Sequence, residues 1–460
     1  MVVQYFLPEF VNFPKNLFNF CVMLYKLNCF SLLFTLCLLS ASSSLSQTSR
    51  PNIIYIMTDD MGYADLSGYG NTAYKTPNLD KLAAQGIKFL HAYSAGSLCT
   101  PTRVGFMTGR YPARTPVGLI EPLTNTPKDS AFGLTATFPS VATLMKSVGY
   151  ETVLVGKWHL GMLSQHSPAK NGFDYFFGIR SGAADYISHK AFRRGIDLYE
   201  NENPVQQKGY LTDLLTLKAI DFIKQEHSKP FFLVLNYTAP HWPWQGPTDT
   251  AYSDTADFTS GGSPAIYAAM MKSLDDGVGA VMQALEKKGL SNQTIVIFTN
   301  DNGGERFSNH GGLAKKKGTL WEGGIRVPAF VRWPGKIKSG QISQQAVITM
   351  DWTATILTAA GATAKPGFPL DGIDLMPLCR GQKNISDRSF YWRTFQRSKQ
   401  NAMREGRWKY LKDQEGEYLF DLIADPGEKV NLKTKQEAIF QRLKNKYAEW
   451  EKTVLTPIAL

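Results

Sequence analysis

Four apolar runs that end abruptly in charged or amide residues constrain this chain more than any other feature. NIIYIMT at 52–58 stops at Asp59 and Asp60, and ETVLV at 151–155 leads through Gly156 to Lys157 and His159. FFLVLNY at 231–237 leads to Pro240 and His241, and TIVIFT at 294–299 leads to Asp301 and Asn302. Uninterrupted runs of this kind read as strands buried on both faces. Helical patterns lie between them: 76–85 with an early proline and Gly86 beyond, 140–149 opened by Ser140 and closed by Gly149, 211–226, and 263–288. The alternation predicts an α/β sheet, mostly parallel, between helices. In such sheets the carboxyl ends of the strands share one edge, and ligands bind there. One polar cluster after a strand is an ordinary turn; four in succession on the same expected edge predict a site.

Beyond this core the pattern changes. A further strand at 327–333, a helix at 351–360 and a proline-rich stretch through Pro366, Pro369 and Pro377 lead to short alternating strands (RSFYWRTF, AMREGRWKYLKD, EYLFDL) and a charged helix at 433–450. These predict a smaller antiparallel subdomain. With 460 residues, 43% of them hydrophobic, the chain can bury a large core and is no disordered polyelectrolyte.

Three of the five cysteines, Cys21, Cys29 and Cys37, lie in the first forty residues. The uncharged run 29–39 follows Lys26 and enters the small-residue tract 40–44, which reads as a secretory leader, with Met1 or Met23 as the start. It is shorter than a membrane span, so export without a stable membrane anchor is expected. Only Cys99 and Cys379 remain, too few for a disulfide framework. The net charge of +11 barely changes on removing Lys15, Lys26 and Glu9 with the leader, and it suits an anionic substrate as well as simple solubility. Clustered basic helices and aromatic RNA-binding motifs are missing, which argues against nucleic acid.

Asp59, Asp60, Asp301 and Asn302 offer only oxygen donors, which suits calcium. Zinc would call for histidines or thiolates, and none of the seven histidines has the spacing of a helical zinc site. Cys99 opens Cys-Thr-Pro-Thr-Arg, followed by Val-Gly-Phe-Met-Thr-Gly-Arg, at an expected helix start where anions are favoured.

Here the sequence resembles the sulfatase family, whose signature Cys-x-Pro-Ser-Arg is matched by Cys99, Pro101, Thr102 and Arg103, with threonine replacing serine at 102. The resemblance runs from Pro51 to about Leu432 through PNIIYIMTDDMGYAD, GKWHLG, APHWP, TNDNGG, GTLWEGGIRVP and REGRWKYL…LFDLIADPGE. It implies an alkaline-phosphatase-like fold; together with the leader and the change of pattern read above, the expected organisation is a leader and extension at 1–47, a catalytic domain at 48–375 and a C-terminal subdomain at 376–460. The resemblance also implies that a maturation enzyme oxidises Cys99 to formylglycine, and that Asp59, Asp60, Asp301 and Asn302, with an oxygen of residue 99, hold one calcium ion. One hydroxyl of the hydrated aldehyde would attack sulfur as the alcohol leaves; deprotonation of the other would expel sulfate and restore the aldehyde. Arg103 would orient that diol, Lys157 and Lys317 would bind sulfate oxygens, His159 would be the base of the second step, and His241 with Lys317 would protonate the leaving oxygen.

The expected substrate is a sulfated sugar in a poly- or oligosaccharide. Alternatives on the same scaffold are a phosphodiesterase or phosphonate monoester hydrolase, and a glycan-binding protein without activity. Ser181 and Gly182 fall where the family's sulfate pocket often gains a group. Asp185, Tyr186 and His189 are open between substrate contact and structure, and Trp242 and Trp244 between sugar stacking and packing.

Overall fold

The computed structural model describes residues 50–458 except 125, 127–130, 254–255 and 383–386, with a few positions before residue 26. The expected leader run at 29–39 lies outside the described residues. Among those described, no helix is long and apolar enough to cross a membrane.

The first sheet contains β1 (Asn52–Thr58), β2 (Ile87–Tyr93), β3 (Glu151–Gly156), β4 (Tyr175–Ile179), β5 (Leu198–Glu200), β6 (Asn203–Pro204), β7 (Phe231–Asn236), β8 (Thr294–Asn300), β9 (Arg326–Arg332) and β10 (Gln341–Ile348). Their order is β10-β2-β9-β8-β1-β7-β3-β4-β5-β6. The four runs that define the sequence are thus neighbours, β8-β1-β7-β3, and all are parallel. Their carboxyl ends share one edge. The sheet is mixed because β9 runs antiparallel to both β2 and β8, and β5 to both β4 and β6.

Each face of the sheet carries its own core. On β1, Ile53, Tyr55 and Met57 point into one cluster with Phe106, Met145 and Trp352, while Ile54 and Ile56 point into the other with Leu215, Leu274 and Val278. This period-two division of a wholly apolar strand is what a three-layer α/β/α arrangement requires. Helices Cys99–Thr108, Val141–Ser147 and Thr349–Ala360 cover the first face; Pro77–Ala84, Leu211–Lys224 and Pro264–Lys287 cover the second. Ser140 and Ser263 cap their helices, accepting from Thr143 N at 3.0 Å and Ile266 N at 3.2 Å.

Several elements carried little sequence signal. The edge strand β10 (QISQQAVI) is polar along half its length, and β4 to β6 are short. Their strand state comes from pairing with neighbours already in place. A second sheet, β11 (Ser389–Arg393), β12 (Asn401–Glu405), β13 (Trp408–Lys412) and β14 (Glu417–Asp421), is an antiparallel meander. Helix Glu437–Glu451 packs on it through Phe440, Leu443, Tyr447 and Trp450 in a third core, which also takes in Tyr93, Ile348 and Met350 from the first sheet's side. Trp392 Nε1 donates to the Ser94 carbonyl at 2.8 Å, fastening this sheet beside the segment that leads to Cys99.

Candidate active site

The edge formed by β8-β1-β7-β3 brings together every residue the sequence singled out for chemistry. Asp59 and Asp60 follow β1, Lys157 and His159 follow β3, His241 follows β7, and Asp301 and Asn302 follow β8. Cys99 is the first residue of helix Cys99–Thr108, and Arg103 lies one turn on. All are buried.

Local backbone geometry is built for this convergence. Asp60 and His159 adopt φ of +64° and +55°, a left-handed region rarely occupied by residues with side chains. Gly156 has φ +118°, and a Cβ there would lie 1.8 Å from the Asn236 carbonyl oxygen, so only glycine lets the chain leave β3 toward Lys157. Asn300 ties two loops together: its Oδ1 accepts from Thr58 Oγ1 at 2.7 Å and Met61 N at 3.3 Å, and its Nδ2 donates to the Met61 carbonyl at 2.9 Å.

Acidic and basic groups interleave. Lys157 Nζ lies 2.5 Å from Asp59 Oδ2, Lys317 Nζ 2.6 Å from Asp60 Oδ2, and Arg103 Nη2 2.9 Å from Asp301 Oδ2 and 3.5 Å from Asp59 Oδ2. Asn302 Nδ2 donates to Asp60 Oδ1 at 2.8 Å. Burial opposes ionisation of Asp59, but Lys157 and the cations around it prevail and hold it below the usual carboxylate range. For Asp301, burial and the neighbouring Asp59 prevail instead, pushing it up to about 7. Asp60 is raised too, by burial first. Three crowded carboxylates, two of them resisting ionisation, are a set that a multivalent cation would relieve.

The donors fit such an ion. Ligand-capable atoms of Asp59, Asp60, Cys99 and His241 lie within 4.8 Å of one another; this set adds His241 to the expected ligands and does not include Asp301, whose Oδ2 is paired with Arg103. Asn302 Oδ1 is buried with no hydrogen-bond partner, an unused carbonyl oxygen of the kind a hard cation takes. Cys99 Sγ lies 3.5 Å from Asp59 Oδ1, and burial followed by that carboxylate pushes its thiol up, so it stays protonated and weakly nucleophilic as it stands.

His159 Nε2 lies 2.8 Å from the Leu123 carbonyl, which fixes the proton there and leaves Nδ1 buried without a partner. Burial, reinforced by Lys157, lowers its pKa and keeps the ring neutral. His241 Nδ1 lies 2.5 Å from the Trp242 carbonyl and Nε2 3.4 Å from Asp60 Oδ2; it too is kept neutral by burial and then by Lys317. Lys317, the last of three adjacent lysines, is the one turned inward; Lys316 pairs with Glu305 at 2.5 Å on the surface, and Lys315 lies over the Trp321 ring.

A cleft of about 590 Å³ opens over Cys99, His159, His241 and Lys317. Trp242, Phe192, Arg194 and Arg397 line its walls. Of the residues left open by the sequence, Gly182 and Trp242 line the cleft, whereas Trp244 is buried against Phe307. Ser181 Oγ donates to the Ala183 carbonyl, the Asp185 carboxylate accepts from Ile187 N, Ser188 N, Gln245 Nε2 and Tyr252 N, and His189 Nε2 faces the Gly209 carbonyl. Those three are held by protein partners and do not line the cleft. Tyr186 donates to the His241 carbonyl at 3.0 Å and so positions that residue.

Sequence reasoning missed Thr100, Glu121, Arg194 and Arg397. Thr100 Oγ1 links the His159 carbonyl to Leu123 N, and buried Glu121 accepts from Phe395 N and Gln396 N, holding the loop that bears Arg397. A loop arginine brought in from the second sheet leaves no local signal.

Comparison with known proteins agrees with this geometry. The family model Sulfatase matches residues 51–362, and N-sulphoglucosamine sulphohydrolase, C-terminal, matches 309–453. Arylsulfatase J of Mus musculus is 32% identical over 471 aligned positions, covering 89% of this chain and 77% of that protein. N-acetylgalactosamine-6-sulfatase of Mus musculus is 36% identical, covering 75% of this chain and 69% of that protein. The crystal structure of Ps i-CgsB in complex with k-i-k-neocarrahexaose superposes with a TM-score of 0.78 at 30% identity, covering 87% of this chain and 93% of that one. With its signature cysteine, carboxylates and lysines gathered at one sheet edge, the chain belongs to the sulfatase family and is a sulfuric ester hydrolase.

Proposed function

We propose that the protein removes sulfate from sulfated sugars of poly- or oligosaccharides outside the cytoplasm, after export through its N-terminal leader and maturation of Cys99. The observation that carries this reading is the convergence of Cys99, Arg103, Lys157, His159, His241 and Lys317 around three carboxylates beneath one cleft. The solved relative that holds a neocarrahexaose and the relatives named for N-acetylgalactosamine-6-sulfate support a sugar substrate.

Asp59, Asp60, Asp301, Asn302 and residue 99 would hold calcium. When present, that ion supplies Lewis-acid stabilisation and formylglycine at 99 supplies the nucleophilic hydroxyl. The chain's own residues do the rest. Arg103, pinned between Asp59 and Asp301, fixes residue 99 from one turn along its helix. Lys157 and Lys317 present ammonium groups where sulfate oxygens would lie, acting as point charges. Neutral His159, its Nε2 proton committed to Leu123, accepts a proton at Nδ1. His241 and Lys317 flank the same oxygen of Asp60: the Lys317 ammonium supplies the proton, and neutral His241, whose Nδ1 proton is committed to the Trp242 carbonyl, relays it through Nε2 to the departing alcohol. Trp242 and Phe192 give the sugar flat apolar faces, and Arg194 and Arg397 give its other anionic groups a counter-charge.

The test has two parts. Mass analysis of the Cys99 peptide from active enzyme is expected to show the aldehyde; an unmodified thiol in fully active protein overturns the maturation. Parallel assays on sulfated saccharides, aryl sulfate and aryl phosphate diesters are expected to favour sulfate; preference for the diester establishes the phosphodiesterase alternative.

A further inference from the structure

Lys317 sits in the irregular segment between β8 and the four-residue helix Glu322–Ile325 that leads into β9, so neither sheet nor helix contains it. The end of that segment is anchored instead in the second sheet. Glu322, wholly buried, places Oε1 3.0 Å from Lys409 Nζ of β13, and Lys409, also wholly buried, lies 2.7 Å from Glu428 Oε1. Glu428 closes the triangle by accepting Glu322 N on Oε2 at 2.6 Å. The other oxygen of Glu322 accepts from Tyr93 Oη at 2.7 Å and faces Arg326 at 3.6 Å, and Arg404 of β12 hydrogen-bonds Tyr93 Oη in turn. Just upstream, Leu320 N donates to Gln400 Oε1 at 2.6 Å, and the Trp321 ring lies 5.3 Å from those of Tyr418 and Phe420.

From this anchor to Lys317 the chain has no slack. Gly323 N donates to the Ala314 carbonyl and Thr319 N to the Lys316 carbonyl, and a Cβ on Gly324 would come 2.0 Å from the Thr319 carbonyl oxygen. The segment meets the site through Lys317 N on the Gly304 carbonyl and Gly318 N on the Ser97 carbonyl, two residues before Cys99. A displacement of Glu322 therefore carries to Lys317. Buried ion pairs are poor stabilisers compared with an apolar core, and their better-attested use is to fix geometry. The sequence runs REGRWKYL and LFDLIADPGE, which supply Arg404, Lys409 and Glu428, were otherwise without a role.

We infer that Lys409 and Glu428 are positioning residues for the reaction: through Glu322 they set Lys317 against Asp60 and the cleft, which makes the second sheet part of the catalytic apparatus. This rests on the reading that Lys317 serves the sulfate ester.

A double-mutant cycle on the matured full-length enzyme, assayed with an aryl sulfate, tests it. Lys409→Met is expected to lower kcat/KM about 10- to 100-fold, the cost of misplacing a reacting group by about 1 Å. In a Lys317→Ala background the same change is expected to cost less than about twofold, because the group it positions is already gone. Losses that multiply overturn the inference and make the cluster merely structural. Should Lys409→Met fail to fold, Glu428→Gln runs the same cycle, and full activity of that variant also overturns the inference. Leu443→Ala, in the helix covering the same sheet, controls for destabilisation: it is expected to lower the melting temperature with kcat/KM unchanged, and a loss of kcat/KM matching that of Lys409→Met overturns the inference. If Lys317→Ala alone leaves turnover intact, the reading of Lys317 fails instead, a separate result.

Discussion

Two buried clusters of opposite charges lie near each other in this molecule, and they are built differently. At the strand-end edge, Asp59, Asp60 and Asp301 interleave with Arg103, Lys157 and Lys317 beneath an open cleft. Asp60 and His159 there hold left-handed backbone, and Asn302 Oδ1, Arg103 Nε and His159 Nδ1 lack partners. Under the second sheet, Glu322, Glu428 and Lys409 form a closed triangle backed by Tyr93, Arg326 and Arg404, away from the cleft. The first arrangement leaves polar capacity unspent and maintains strain, as sites that engage a ligand do. The second also holds one residue in left-handed backbone, Glu428 at φ +53°, and leaves that residue's Oε1 with an ion pair to Lys409 rather than a hydrogen bond, but it turns its charges on one another rather than toward the cleft, as a brace does. Buried charge alone therefore does not mark a functional site; unspent donors and acceptors facing a cavity do.

The largest expected break falls on the first cluster. Under the proposed mechanism, Cys99→Ala should lower kcat by at least about 10⁴-fold while the protein still unfolds cooperatively, because it would remove the nucleophile's precursor and little packing. Turnover near the wild-type rate in steady-state assays would remove Cys99 from the mechanism.

If Asp301 serves the proposed calcium site, Asp301→Asn should cost on the order of 10²- to 10³-fold and raise the calcium concentration needed for activity, since it would take one negative charge from the ion's surroundings. Chelation of the wild-type enzyme should abolish turnover, with calcium restoring it; activity indifferent to chelator would refute the ion's role.

His241→Ala should lower kcat by about 10²-fold on sugar sulfates and far less on aryl sulfates, whose leaving groups need little protonation. Equal losses on both would contradict its part in proton delivery.

Arg397→Ala should raise KM threefold to tenfold, roughly, for a substrate with several sulfates and leave a singly sulfated aryl ester unaffected. The helix that covers the second sheet should respond in stability instead. Leu443→Ala should cost about 2–5 kcal/mol of stability in denaturant titration, and its turnover below the transition should match wild type.

How much of this was legible in the sequence depended on whether the signal was local. The four central strands and the helices between them were readable to within a residue or two, because a wholly apolar run or a capped amphipathic stretch carries its own pattern. The edge strand β10 and the short β4 to β6 were not, since pairing with neighbours makes them strands. The gathering of the polar residues that follow those strands was legible for the same reason as the strands: parallel topology sends their ends to one edge. Arg397 and Glu121, separated by most of the chain's length and joined through hydrogen bonds to Phe395 and Gln396, left no trace in spacing. Likewise Trp242 and Trp244, two positions apart, fell one into the cleft and one into packing.

By itself, then, the sequence determined a parallel α/β core, the identity of its polar edge and the chemistry of a family whose motifs it carries in order. Hydrophobic pattern and residue type are local properties and need no partner to be read. The tertiary structure decided which tryptophan faces the cleft, that Arg397 reaches it, and that Glu322, Lys409 and Glu428 meet. Those outcomes depend on distances between segments remote in sequence, which only packing sets.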